Sequence, residues 1–270
     1  MFLLKKPAFT KRLTLVFFVP LTMISRNFKD LNDNNIIKKF GTSEKKTGLT
    51  YIEQLIAEGE HQQLDFKFEI SDSRKIARSL VAFANTYGGK LLVGVKDNGA
   101  IAGVRSEEEY YMVEAAASLY CFPEIKFTTH EYNVVGKMVL EIKVDRSLKQ
   151  KHKAPDKNNE PKYYVRVGDQ NLLAHPIQLL VWKLKNESTQ TKFCITKNEI
   201  KILNYLINNP VTDYLTLIEH VGLSKFKTNI ILAHLIHFEV IRIRLTEKDL
   251  HIMLNEKVHN LESLETFKID

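Results

Sequence analysis

The stretch from Gly59 to Gly103 constrains the fold more than any other part of the chain. Apolar and charged residues alternate from Leu64 to Glu69, which predicts a strand with one buried and one charged face. A helical apolar pattern follows, with Ser71 or Asp72 as its N-cap, and it continues to Tyr87.

A second strand and a hairpin complete this stretch. The apolar run Leu91 to Val95 is typical of a central strand buried on both faces. The turn Asp97-Asn98-Gly99 contains the Asn-Gly dipeptide that suits a tight hairpin. Strand, helix, strand and hairpin together predict the centre of an α/β or α+β domain.

Flanking patterns extend this domain in both directions. They predict helices at Tyr51–Glu58, Glu107–Tyr120 and His175–Leu184, strands at Phe127–Val135, Lys137–Val144 and Tyr163–Val167, and a polar loop at Arg146–Pro161.

Several motifs in residues 51–185 resemble the Schlafen-type AlbA-like domain family, which is regarded as DNA-binding and is also catalogued as a divergent AAA ATPase. The chain departs from the family at Asp65, where glutamate is usual. The matching segments are Glu60, Asp65-Phe66-Lys67, Phe83-Ala84-Asn85-Thr86-Tyr87-Gly88-Gly89, Gly94-Val95-Lys96-Asp97-Asn98-Gly99 and Tyr164-Val165-Arg166-Val167-Gly168. The resemblance makes Phe83, Asn85, Gly88, Gly89, Gly94 and Gly99 structural motif residues.

Three carboxylates, Glu60, Asp65 and Asp97, suggest a metal-dependent nuclease if the fold brings them to one edge of the sheet. They would hold Mg²⁺ or Mn²⁺, and Lys67 would stabilise developing negative charge. Schlafen relatives that cleave RNA use carboxylates at the positions of Glu60 and Asp65. The alternative is that these two pair with Lys67 or Arg78 on the surface, and that Asp97 is a turn residue.

ATP binding is not expected, because the chain has no P-loop around Gly88-Gly89-Lys90. Ala84 stands where the first glycine should be, and Leu91 stands where a serine or threonine should be. A helix also leads into these glycines, which is the reverse of the required order.

Basic charge in the folded part is concentrated in one segment. The net charge of +7 is accounted for by residues 1–50, but Lys143 to Arg166 has a local charge of +5. It predicts phosphate contacts, although such a segment can equally be a solvated, mobile loop. The candidate nucleic-acid-binding residues here are Lys149, Lys151, Lys153 and Arg166.

The C-terminal region predicts a winged helix-turn-helix. Its pattern gives helices at Lys197–Asn208, Thr216–Val221 and Lys225–Glu239, followed by two strands within Val240–Leu254. Helix-turn-helix readers commonly pair on half-sites, so a homodimer is plausible; the alternative is that the unit docks on protein. The base-reading candidates at the start of the third helix are Lys225, Lys227, Thr228 and Asn229.

The predicted organisation is a disordered leader or over-extended start (1–50), the AlbA-like domain (51–185), a linker (186–192), the winged unit (193–256) and a tail (257–270). The apolar run Leu13–Ile24 is 12 residues long, whereas a membrane span needs about 20, so no membrane contact is expected. Cys121 and Cys194 have no metal or redox spacing, which favours reduced thiols in the cytoplasm.

These patterns favour a cytoplasmic two-domain nucleic-acid-binding protein that acts as a DNA-binding transcriptional regulator. Two other classes stay open: an Mg²⁺- or Mn²⁺-dependent nuclease acting on RNA or DNA, and a protein-interaction adaptor that touches no nucleic acid.

Overall fold

The computed structural model describes residues 50–104, 106–187, 195–256 and 258. The predictions for the leader, the tail, Cys194 and most of the linker lie outside these residues. The described residues form two compact units, one of residues 50–182 and 245–248, the other of residues 183–244, 249–256 and 258. In this part of the chain, no helix combines the length and apolar character needed to cross a membrane.

The larger unit is built from helices and strands in mixed order. Its elements are α1 (Tyr51–Glu58), β1 (Leu64–Lys67), α2 (Ser73–Asn85), β2 (Gly89–Val93), α3 (Glu108–Leu119), β3 (Phe127–Val134), β4 (Lys137–Val144), β5 (Lys153–Pro155), β6 (Pro161–Val167), β7 (Gln170–Leu173) and the start of α4 (Pro176–Asn186). This mixed architecture confirms the predicted α+β fold class.

Two sheets organise this unit. The first has the strand order β1-β2-β4-β3, with β1 and β2 parallel and the other neighbours antiparallel. Helix α2 connects the two parallel strands, as a crossover between parallel strands requires. The second sheet is antiparallel, with the order β5-β6-β7.

The first sheet carries a core on each face. One core joins α2 and α3 to residues such as Leu91, Val93 and Ile142 of the sheet. The other core joins Ile52 and Leu55 of α1 to residues of the opposite face, namely Leu64, Phe66, Leu92, Val95, Val134 and Val139. The central strand β2 is therefore buried on both faces, as its apolar run predicted.

Strand β1 has the predicted charged side with Asp65 and Lys67, but this side is buried at Asp65. Asp65 is only 3% exposed, although it alternates with the apolar Leu64 and Phe66 as a solvent-facing residue would. The reason is that Arg166 of β6 covers it, which a pattern local to β1 cannot reveal.

Most predicted elements are observed within a few residues. Helix α1 and strand β4 have the predicted bounds, and Asp72 is the N-cap of α2 because its side chain accepts a hydrogen bond from Arg74 N at 2.9 Å. The polar segment predicted as a loop contains β5, which pairs with β6 over only three residues. Strand β7 was not predicted, because Gln170 to Leu173 lacks an alternating pattern.

The smaller unit continues from α4 through α5 (Lys197–Asn208), β8 (Val211–Asp213), α6 (Tyr214–Val221), α7 (Lys225–His237), β9 (Ile241–Leu245) and β10 (Leu250–Leu254). The three helices and two strands expected here are present, and β8 adds a third strand in the order β8-β10-β9. Side-chain caps at Thr196, Asp213 and Ser224 begin the three helices.

Candidate nucleic-acid interface

The C-terminal end of α2 anchors the basic segment of the larger unit. Asn85 Nδ2 donates to His152 O at 2.8 Å and to Tyr164 O at 2.9 Å, and Asn85 Oδ1 accepts from His152 N at 2.8 Å. Asn85 is 4% exposed, so these bonds replace water for three backbone groups. The amide therefore joins α2 to the segment before β5 and to β6.

The two glycines after α2 allow the chain to pack closely at this point. A Cβ at Gly89 would lie 2.3 Å from the Phe83 ring, and one at Gly88 would lie 2.7 Å from Val144 O. Gly88 also has a positive φ of 75°. The glycines thus bring the start of β2 against the ring of Phe83 and the end of β4.

Two lysines flank a pair of aromatic rings next to this anchor. Lys151 Nζ lies 5.4 Å from the centroid of the Trp182 ring, and Lys153 Nζ lies 4.9 Å from that of Tyr163. The rings of Tyr163 and Trp182 meet edge to face at 5.7 Å. We call these four residues the lysine–aromatic row; all four are partly exposed.

Lys151 joins the lysine–aromatic row to the backbone. Lys151 Nζ donates to Ser147 O at 2.9 Å and to Asn85 O at 3.2 Å. This side chain therefore fixes the position of the segment in addition to contributing positive charge. Lys149 lies exposed in the same segment. Nearby, the Arg146 guanidinium lies 5.6 Å from the centroid of Tyr87, a ring that is 52% exposed.

Arg166, the fourth predicted phosphate contact of this segment, does not belong to the surface. It is 2% exposed, and its Nη2 lies 3.3 Å from Asp65 Oδ1 and 3.2 Å from Leu64 O. Its Nη1 donates to Asn171 Oδ1 at 3.1 Å. The prediction is wrong for Arg166, because its donors are used inside the protein.

The carboxylates Glu60 and Asp65 lie next to each other at β1. Glu60 Oε1 accepts from Phe66 N at 2.8 Å, and Asp65 Oδ2 lies 3.0 Å from Lys67 Nζ. Burial and a hydrogen bond with Asp65 raise the pKa of Glu60, and the Phe66 amide opposes this rise. The surroundings of Glu60 therefore favour its protonated form more than water does.

A divalent metal does not fit these residues. One oxygen of Asp65 faces Arg166 and the other faces Lys67, so two cations already neutralise the carboxylate that would bind the ion. Asp97 is exposed in the turn after β2. Among the described residues, no group of three His, Cys, Asp or Glu is placed to hold a metal. The predicted convergence of Glu60, Asp65 and Asp97 is therefore wrong.

The smaller unit exposes only part of its predicted base-reading set. Lys225 and Lys227 are exposed in the first turn of α7. Thr228 is fully buried and donates to Ser224 O at 3.1 Å, and the buried Asn229 accepts a hydrogen bond from the Tyr214 hydroxyl. The prediction is wrong for Thr228 and Asn229, since Thr228 bonds the N-cap of its own helix and Asn229 joins α7 to α6.

Sequence reasoning missed the aromatic half of the interface. Tyr87, Tyr163 and Trp182 lie in three different parts of the chain, and the predicted interface was defined by charge alone. Interleaving of rings with lysines was the available signal, since Tyr163 and Tyr164 lie at the end of the basic segment.

Comparison with known proteins identifies the larger unit. The family model described as Schlafen, AlbA_2 matches residues 60–175, which include the motifs described above. A search of curated proteins gave no match.

Two solved structures resemble the chain remotely. The DIP2311 protein from Corynebacterium diphtheriae is 21% identical with a TM-score of 0.39, covering 53% of this chain and 32% of its own. The N-terminal domain of a protein related to the ATP-dependent DNA helicase RecG, from Nitrosomonas europaea, is 20% identical with a TM-score of 0.31. That match covers 47% of this chain and 97% of the domain. The chain thus spans about a third of DIP2311.

Neither likeness assigns a function, but the family match confirms the resemblance in the sequence: residues 60–175 form a Schlafen AlbA_2 domain.

Proposed function

We propose that this protein binds nucleic acid through the lysine–aromatic row and acts as a DNA-binding transcriptional regulator in the cytoplasm. The observation that carries the proposal is the placement of Lys151 and Lys153 over the rings of Trp182 and Tyr163. Ammonium groups neutralise phosphates, and aromatic rings beside them contact sugars and bases.

The surface is organised before any ligand arrives. Asn85 fixes the backbone of His152, and Lys151 is tied to two backbone carbonyls. A prearranged surface loses less conformational entropy on binding than a mobile loop does. This supports the binding interpretation of the basic segment over the solvated-loop interpretation.

The smaller unit supplies the second part of the proposal. Helix, strand, helix, helix and hairpin is the element order of a winged helix-turn-helix, and α7 would be its recognition helix. Lys225 and Lys227 would contact DNA from its first turn. Pairing of two such units on half-sites belongs to the same proposal, because a palindromic site mirrors a two-fold dimer.

A second role for the smaller unit is docking on protein. Three of its large apolar residues are well exposed, with Val211 at 65%, Leu215 at 59% and Phe226 at 72%. Exposed apolar surface marks protein-contact sites where it is contiguous, and these three side chains would be the contact residues in this second role. Phe226 lies between Lys225 and Lys227, so this role competes with DNA reading at that turn.

The test is the salt dependence of binding to a fluorescent DNA duplex, followed by anisotropy. Removing one phosphate contact should reduce the slope of log K against log salt by about 0.9. We expect the double variant Lys149→Ala/Lys153→Ala to bind more weakly with a shallower slope. Lys96→Ala is the matched control, since Lys96 is also exposed but lies beyond the opposite end of β2. Wild-type protein that fails to bind, or binds without salt dependence, would overturn the proposal.

Base-specific recognition of DNA by α7 is tested in a separate experiment. Selection from a random duplex pool should enrich a common site with the wild-type chain. Lys225→Ala/Lys227→Ala should weaken or lose that enrichment while leaving the AlbA_2 domain intact. Enrichment that is unchanged in this variant would assign the smaller unit to protein docking.

A further inference from the structure

One end of the first sheet carries an exposed group of rings on the face that α1 packs against. Helix α1 covers Leu64, Phe66 and Leu92 of this face through Ile52 and Leu55. Beyond the helix, the same face continues through His130 and Tyr132 of β3 and Glu141 of β4, which are cross-strand neighbours. We call Tyr51, His130 and Tyr132, with Glu141 below them, the tyrosine face.

The three rings form a connected series. The centroids of Tyr51 and Tyr132 lie 5.3 Å apart, and those of His130 and Tyr132 lie 6.4 Å apart. His130 has an exposed side-chain fraction of 61%, and Tyr51 is 39% exposed. Rings with this much open surface can accept another flat ring against them.

The buried carboxylate of Glu141 accepts hydrogen bonds from both tyrosines. The Tyr51 hydroxyl donates to Glu141 Oε1 at 2.6 Å, and the Tyr132 hydroxyl donates to Oε2 at 3.2 Å. Burial and these contacts with Glu141 raise the pKa of both tyrosines, so both hydroxyls remain donors at neutral pH. Each tyrosine ring is therefore held at its polar end, with Tyr51 exposed and Tyr132 partly exposed.

Positive charge lies directly beside the rings. Lys90 Nζ lies 5.2 Å from the Tyr51 centroid and donates to its hydroxyl at 2.8 Å. Lys90 Nζ also lies 3.8 Å from Glu141 Oε1. Lys90 pairs in register with Lys143 of β4, whose side chain is 52% exposed and whose Nζ lies 3.8 Å from Asp145 Oδ1. Rings combined with lysines suit a ligand that has both flat bases and phosphates.

The strand that carries Glu141 leads along the chain into the basic segment of the same unit. The end of β4 leads through Arg146 into the basic segment, and the Gly88 backbone packs against Val144 O and Arg146 N. Arg146 in turn lies over Tyr87, two residues before the start of β2. Arg146 and the basic segment therefore follow directly after the strand that contains Glu141.

We propose that the tyrosine face is a stacking platform for the unpaired bases of single-stranded nucleic acid. This inference rests on the proposed function, because the lysine–aromatic row would hold the phosphates of the same strand. Bases in a duplex are already stacked and paired, so they cannot lie flat on Tyr132 and His130. A single strand has open base faces, and stacking on aromatic side chains accepts any base.

The experiment uses fluorescein-labelled oligothymidine and oligouridine of about 15 nucleotides, together with a duplex of equal length. This length lies within the range of site sizes known for single-strand-binding OB-folds. Anisotropy is measured with the full chain and with Tyr132→Leu, Tyr132→Phe and His130→Ala. We expect Tyr132→Leu to weaken single-strand binding about tenfold, which corresponds to the removal of one stacked base–ring pair. Tyr132→Phe keeps the ring and should stay close to wild type, and His130→Ala should weaken binding less than Tyr132→Leu.

Duplex binding distinguishes this inference from the proposed function. Tyr132→Leu should leave duplex affinity unchanged, whereas Lys149→Ala/Lys153→Ala should weaken the binding of both ligands.

Single-strand binding that is unaffected by Tyr132→Leu and His130→Ala overturns the platform alone. Equal losses in Tyr132→Leu and Tyr132→Phe also overturn it, since the hydroxyl rather than the ring would then matter. A wild-type chain that binds no oligonucleotide overturns both proposals. Whether thymidine or uridine strands bind more tightly identifies DNA or RNA as the source of the bases.

Discussion

The guanidinium of Arg166 and the carboxylate of Asp65 form a buried ion pair with an Nη2–Oδ1 distance of 3.3 Å. Arg166 belongs to β6 of the second sheet and Asp65 to β1 of the first, so the pair joins the two sheets. The guanidinium also lies 5.2 Å from the centroid of Phe83 in α2. The two residues therefore connect three elements of the AlbA_2 domain.

Replacing Arg166 with alanine should lower the free energy of unfolding by about 3–5 kcal/mol, because Asp65 would lose one of its two cationic partners and Leu64 O and Asn171 Oδ1 would lose a donor. Urea denaturation followed by circular dichroism measures this change. The double variant Arg166→Ala/Asp65→Ala should lose less than the sum of the single changes. Additive losses would mean that the ion pair makes no specific contribution.

The pH dependence of stability should reveal the raised pKa of Glu60. Because burial and Asp65 raise this pKa above its ordinary value of 4.5, the folded state keeps the proton after the unfolded chain has lost it. Stability due to this group is present below pH 4.5 and falls as the pH rises through the folded pKa.

Glu60→Gln should therefore gain in melting temperature relative to wild type between acidic and neutral pH. Glutamine can still accept the hydrogen bond from Phe66 N, so the comparison isolates the ionisation. Melting curves of both proteins across this pH range give the difference. A difference that is constant with pH would contradict the assigned direction of the shift.

Added Mn²⁺ should not raise the melting temperature of the protein. Both oxygens of Asp65 face cations, and a metal would have to displace Lys67 or Arg166 before it could bind. A ligand at a hundred times its Kd stabilises a folded protein by about 2.7 kcal/mol, which a thermal scan detects readily. A stabilisation by Mn²⁺ that disappears in Asp65→Asn would restore the metal-site hypothesis.

Asn85→Ala should destabilise the domain by about 2–4 kcal/mol, since it leaves buried backbone groups of His152 and Tyr164 without partners. Asn85→Asp is the informative companion, because it keeps the shape but cannot donate to two carbonyls at neutral pH. We expect the aspartate variant to be at least as unstable as the alanine variant in urea denaturation. If Asn85→Asp behaved like wild type, the hydrogen bonds would not be what holds the basic segment.

Local patterns were sufficient for most of the fold. Asp72 and Ser224 are helix caps whose partners lie within three residues, and α1 has an apolar face that needs no distant neighbour. The burial of Asp65 could not be predicted in this way, because its partner lies 101 residues away on another sheet. Strand β5 was missed for a related reason, since its three residues pair only because β6 lies alongside.

The sequence alone could predict the charged residues of the candidate site but not the aromatic rings beside them. Lys151 and Lys153 stand out in the sequence, but their ring partners depend on how β6 and α4 pack. Arg166 carries the same charge and is buried, because tertiary interactions occupy its guanidinium. Composition therefore located the basic segment, but it could not distinguish the lysines at the surface from the buried Arg166.

Helix α1 lies upstream of the segment that defines the family, which begins at residue 60. A fragment cut at that limit would lose Ile52 and Leu55, and would leave Leu64, Phe66 and Leu92 open to water. It would also lack Tyr51, so the ring series would be shortened and Glu141 would lose a donor. Such a fragment would be prone to self-association, and a negative binding result obtained with it would say nothing about the whole chain.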